Sequence, residues 1–120
     1  KMAKKPKTYG KTTIAPDVLV TIARLTTLSV EGVARMAAVS PTGVNKWFKR
    51  GLSEGVDISV ENNIVSADLH VILHRNINVR DVSHTIQSQV ARAISEMVGM
   101  EVGLINIHVE DIDYNPELIA

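Results

Sequence analysis

The residues from Asn78 to Val109 constrain this chain more than any others, because they spell out one capped helix, its stop and a following strand. Asn78 is a good N-cap, and Asp81 three positions later can answer the first orphan amides and the positive end of the helix dipole. Val79, Val82, Ile86, Val90, Ala93, Ile94 and Met97 recur at three- and four-residue spacing, which gathers them into one stripe. Arg80, Ser83, Gln87, Ser88, Arg92 and Ser95 fall outside it. Gly99 stands where a left-handed cap belongs, and Val102 to Val109 then alternate as a strand, with Ile105, Ile107 and Val109 predicted to face a core and Asn106 and His108 to face away.

A second unit precedes it. Val56, Ile58 and Val60 alternate with Asp57, Ser59 and Glu61, and Asn62-Asn63 supplies two residues that tolerate positive φ before Ile64 to Leu73 return. Pairing Glu61 with Ile64 sets Val60 beside Val65, Ile58 beside Ala67 and Val56 beside Leu69, so the apolar pattern agrees with the turn. Upstream, Pro16 and Asp17 suit a helix start, and a helix from Pro16 to about Leu28 would bury Val18, Ile22, Leu25 and Leu28 before Glu31-Gly32. Val33 to Val39 reads as a short strand of poor alternation, and Ser40 to Gly55 as a loop. The expected fold is therefore α+β, a single small domain in the order α-β-β-β-α-β, with two helices packed on one face of a four-stranded sheet. Strand order is not fixed by these patterns.

At 120 residues and 45% hydrophobic content the chain can build a core without disulfides, and it has no cysteine to form them. Thiolate chemistry is excluded. No apolar run approaches the roughly 20 residues that span a bilayer, and no apolar stretch follows the opening lysines as a secretory leader would require, so a cytoplasmic protein is expected. Formal net charge is zero but uneven: Lys1, Lys4, Lys5, Lys7 and Lys11 crowd one end, and Glu110, Asp111, Asp113 and Glu117 the other. The two ends are placed to attract one another. Residues 1–11 read as a flexible basic tail, 12–113 as the folded domain and 114–120 as a C-terminal tail.

Two groups of residues carry chemistry. The hairpin register sets Asp57 opposite Asp68 on the face turned from the core, with His70 two residues on and His108 near if the last strand is adjacent. Carboxylates and imidazoles so placed can hold a divalent metal or share a proton, although an ordinary wet or interface face explains them more simply. His70 and His74 share strand parity without a third ligand, and His84 reads as a helix-surface residue. The second group is Asn45-Lys46-Trp47-Phe48-Lys49-Arg50, which holds the only Trp and Phe of the chain. Rings interleaved with cations pack on a core, bind a protein partner through Trp47, Phe48, Lys49 and Arg50, or stack nucleic-acid bases from Lys46 to Arg50; the last predicts binding that falls steeply with salt. Gly51 and Gly55 match no phosphate-cradling spacing, and no nucleophile elbow or Walker pattern is present.

The succession Ile14 to Val20, Val30-Glu31-Gly32-Val33, the hairpin ending in Ile77, then Val82, Ile86-Gln87, Val90, Ile94, Met97-Val98-Gly99 and Val102 to Val109 resembles the alkaline-shock-protein family of mainly Gram-positive bacteria. The likeness covers Tyr9 to Asp113. It implies a cytoplasmic, non-enzymatic protein of cell-envelope stress response and homeostasis, without cofactor, that forms homo-oligomers and contacts other proteins. Some members are held peripherally at the membrane by a membrane-anchored partner, and some are linked to lipid metabolism; nucleic acid is not the partner the resemblance implies. The Lys-rich start, Trp47-Phe48 and His74-Arg75-Asn76, where the family often has an aromatic-glycine turn, depart from the pattern. The family offers no catalytic residues to carry over.

Overall fold

The computed structural model describes residues 9–38 and 54–114. The helix read from Asn78 is α2, Val79–Val98: the Asn78 side-chain oxygen accepts the Asp81 amide at 3.0 Å, and Gly99 ends it at φ 71°. Ile86, Val90 and Ile94 are fully buried, but the stripe is shorter than its periodicity suggested. Val79 and Met97, at its two ends, are 42% and 69% exposed, and Val98 packs on the core instead.

The first helix, α1, spans Pro16–Leu28 as expected, yet it turns a different face inward. Leu19, Val20, Ala23 and Thr27 are buried, whereas Val18, Leu25 and Leu28 are exposed and Ile22 is only partly covered. Small Ala23 and Thr27 let the helix approach the sheet closely, and the Thr27 hydroxyl donates to the Ala23 carbonyl at 2.7 Å, so burying it leaves no hydroxyl unsatisfied. The larger side chains of the other stripe would hold the layers apart.

Four strands follow: β1 Val33–Met36, β2 Val56–Glu61, β3 Ile64–His74 and β4 Glu101–Asp113. Asn62 and Asn63 adopt φ 51° and 67°, as a two-residue primed turn requires, and the β2–β3 register is the one the alternation demands, from Glu61↔Ile64 to Val56↔Leu69. β1 pairs antiparallel with Val71 to Leu73 of β3, while β4 runs parallel to β3 from Ile64 to His74. A strand has only two edges. β1 and β2 therefore lie end to end along one edge of β3, and β4 occupies the other. The seam is at His70, whose amide donates to the Gly55 carbonyl and whose carbonyl accepts the Ala37 amide, both at 2.8 Å. A Cβ on Gly55 would stand 2.7 Å from the His70 carbonyl oxygen and 2.8 Å from that of Ala37, at φ 80°, so only glycine fits this junction.

Both helices cover the sheet face carrying Val56, Val65, Ala67, Leu69, Val71, Leu73 and Ile105, and one apolar cluster joins these to Leu19, Val20, Ile86, Val90 and Ile94. Each large side chain buried there contributes about 1.5–3 kcal/mol. β4 extends beyond Val109, which is 36% exposed, because the strand is bulged twice. Between Val65↔Val102 and Ala67↔Ile105, the residues Gly103 and Leu104 oppose Ser66, and between Val71↔Val109 and Ile72↔Asp111 the extra residue is Glu110. The second bulge reverses parity, so Ile112 faces the core and Asp111 and Asp113 face away with Ile72 and His74.

Candidate functional site

The sheet face not covered by helices is where the candidate chemistry gathers. Period-two alternation on β3 places Ser66, Asp68, His70 and Ile72 there, all part-buried by their neighbours. Asp57 stands across from Asp68 as the turn register dictates, and the parallel pairing of β4 brings Asn106 beside Asp68 and His108 beside His70.

The two imidazoles stack, with ring centroids 4.6 Å apart and planes 15° from parallel. Each is held by a carboxylate of the opposite strand. His108 Nε2 donates to Asp68 Oδ1 at 2.8 Å, and His70 Nδ1 donates to Glu110 Oε2 at 2.7 Å. Asn106 Nδ2 adds a donor to the same Asp68 oxygen at 3.2 Å. β3 and β4 are thus crossed by two reciprocal imidazole–carboxylate pairs. The His108 hydrogen bond is the main cause that holds the Asp68 carboxyl below the ordinary carboxylate range; partial burial opposes it, and Asn106 and the charges of His108 and His70 assist. Both carboxylates orient their rings, leaving His70 Nε2 and His108 Nδ1 uncommitted by these bonds.

Of the residues singled out in the sequence, Asp57, Asp68, His70 and His108 do share one face. Glu110 was missed, although simple alternation puts it on the parity of Asn106 and His108, because its contact with His70 becomes visible only once β4 is placed beside β3. Asp111, standing where the alternation Ile105, Ile107, Val109 calls for an apolar residue, was the available sign of the bulge. His74 lies at the exposed end of the same face and His84 on the exposed side of α2. Among the described residues no three His, Asp or Glu side chains are placed to hold a metal ion. The two imidazole–carboxylate pairs stitch β3 to β4 across this face. Trp47, Phe48, Lys49 and Arg50 lie outside the described residues.

The clefts elsewhere are shallow. One of about 430 Å³ runs between the helices past Thr26, Arg92, Glu96 and Met97, and another of about 480 Å³ lies at the hairpin end among Thr12, Ile14, Val60, Asn63 and Met100. Neither meets the imidazole pair. No helix among the described residues is long and apolar enough to cross a membrane.

Residues 4–114 match the profile of the alkaline shock protein 23 family, described by its cell envelope-related function. Three relatives, each an uncharacterized protein, are similar over most of their length. The Streptococcus pyogenes serotype M6 protein Spy1535 is 34% identical over 104 residues, which cover 86% of this chain and 79% of the relative. The Bacillus subtilis (strain 168) protein YqhY is 27% identical over 107 residues, covering 88% and 79%, and YloU of the same strain is 23% identical over 107 residues, covering 87% and 89%. No solved structure matches the chain.

Proposed function

The chain belongs to the alkaline shock protein 23 family, of cell envelope-related function, and from that membership we propose that it is a non-enzymatic adaptor that self-associates and binds other proteins through the outer face of α1. One observation carries the reading: α1 is apolar on two faces. Leu19, Val20, Ala23 and Thr27 serve the core, and Val18, Leu25 and Leu28, at 43%, 54% and 38% exposure, form a second stripe turned to solvent. A second apolar stripe on a helix already packed by its first marks an interaction surface. Met97 of α2, 69% exposed, lines the shallow groove between the helices. Zero net charge offers little general repulsion between copies.

On the imidazole–carboxylate face Asp68 and Glu110 orient the two rings, and the Ser66 hydroxyl accepts the Leu104 amide at 3.3 Å, which supports a structural use of that pair in the adaptor. Trp47, Phe48, Lys49 and Arg50 are proposed as a second partner contact, for a geometric reason: the segment holding them leaves the sheet at Ala37 and returns at Gly55, both against His70. Proteins bound there would hold the adaptor to the envelope.

The test is a pair of substitutions, Val18→Glu and Leu25→Glu, which add charge where no core contact is lost. Light scattering should show wild-type protein above monomer mass and the double variant as a monomer with an unchanged melting temperature. Crosslinked pull-down, with nuclease added, should recover envelope-linked proteins with wild type and lose them with the variant. An unchanged mass and an unchanged set of captured proteins would remove the α1 reading, and capture that collapses on nuclease treatment would replace it with nucleic-acid binding from Lys46 to Arg50.

A further inference from the structure

The bare sheet face is strongly acidic. Pairing places Asp57, Glu61, Asp68, Glu101, Asp111 and Asp113 on it, Glu110 joins through His70, and the only lysine or arginine in the four strands is Arg35, which Asp113 holds at 3.3 Å. The neutrality of the whole chain hides this. The described residues carry six lysines and arginines against twelve carboxylates, and the balance is restored by residues outside them, of which Lys1, Lys4, Lys5 and Lys7 form one run. That run enters the fold at a definite place. Thr12 and Ile14 line a cleft at the hairpin end with Leu19, Val60, Asn63 and Met100, on the helix side of the sheet, and a chain that rounds this end meets Glu61 and Glu101, which flank Ile64 on the other face.

We propose that the lysine-rich N-terminal segment, residues 1–8, docks on the acidic face of its own sheet. Length and charge both favour the same chain as the source. An extended backbone covers about 3.3 Å per residue, so Lys4 reaches about 26 Å from Thr12, and Asp57 lies only about 13 Å along β2 from Glu61. Lysines 4, 5 and 7 therefore sweep over Glu61, Glu101, Asp57 and Asp68 but not the far Arg35–Asp113 pair. Tethering makes the encounter intramolecular, at an effective concentration in the millimolar range, whereas a second copy must supply its tail from dilute solution. Lysine suits such a contact, since its ammonium is a point charge on a flexible stem and its methylenes can lie over Ile64. The segment then covers the sheet on the side the helices leave open, and α1 remains free for partners.

The chain has no cysteine, so Ala3→Cys gives a single attachment point for a nitroxide label in the full-length protein. Amide signals of Ser59, Glu61, Ser66 and Asp68 should broaden more than those of α1 and α2, and the broadening should vanish in about 0.5 M salt, where the Debye length shrinks to a few ångströms. Adding Lys4→Gln, Lys5→Gln and Lys7→Gln should release the label at low salt. So should Glu61→Gln with Glu101→Gln, substitutions on exposed positions that leave the core intact. Broadening without face preference, or insensitive to both sets of substitutions, overturns the proposal. Equal broadening of an isotope-labelled, unspun copy mixed with a spin-labelled, unlabelled one also overturns it, by assigning the tail to a second molecule.

Discussion

At the scale of single residues, Asp68 is the best-connected group on the open face, and its acid behaviour can be worked out. Its carboxyl titrates below the ordinary value near 3.8, chiefly because His108 donates to it, so the ionised form is favoured in the fold. Such a group contributes stability that is fully present above its unfolded pKa and lost as pH falls through the lower folded one. Asp68→Asn should therefore leave stability at neutral pH reduced by less than about 1 kcal/mol, given a half-exposed pair, and flatten the part of the acid limb below about pH 4. Urea midpoints measured from pH 6 to pH 2 in both proteins check this. Leu69, fully buried beneath the same strand, behaves differently: Leu69→Ala should cost about 2–5 kcal/mol by urea denaturation, independent of pH. The opposition of Asp57 and Asp68 was legible in the sequence because a two-residue turn fixes every later pair by counting. Glu110 was not legible as the partner of His70, because alternation gives its face but not the fact that β4 lies alongside β3.

At the scale of elements, ends proved easier to read than faces. Asn78 and Gly99 announce the limits of α2 through local chemistry that tertiary packing does not alter, and Asn78→Ala should destabilise the protein by about 1 kcal/mol, measured as a lowered melting temperature. The inward face of α1 was misread for a physical reason. Two stripes satisfy the helical period, and volume favours Val18, Ile22, Leu25 and Leu28, but clearance above the sheet selects the slimmer Ala23 and Thr27. Periodicity ranks a stripe by hydrophobicity and knows nothing of the distance between layers. The parallel partnership of β4 with β3 was likewise beyond pattern reading, since alternation states which way side chains point and never which strand lies alongside. Gly55 tests the seam between β1 and β2: Gly55→Ala places a methyl group against two carbonyl oxygens at a positive φ and should cost on the order of 2 kcal/mol or more, read from thermal unfolding.

At the scale of the molecule, charge and topology divide the labour. The helices leave one sheet face uncovered, the strands load it with carboxylates, and the apolar surplus is displayed on the opposite layer by α1, so the two sides suit different company. Membership of an envelope-related family was legible from the order of short motifs, while the surfaces that would do the work needed coordinates to be told apart. The seam at His70 has a further meaning. Because one strand ends and the next begins at the same residue of β3, the connection between Ala37 and Gly55 departs and returns through a single gate, and the ladder on either side does not register how long the detour is. Doubling that segment with a polar insert raises its closure entropy by only about 0.6 kcal/mol, whereas one residue added between Asn62 and Asn63 would throw β2 out of step. Such a gate gives an experimenter a port for a reporter domain in an otherwise tightly indexed sheet.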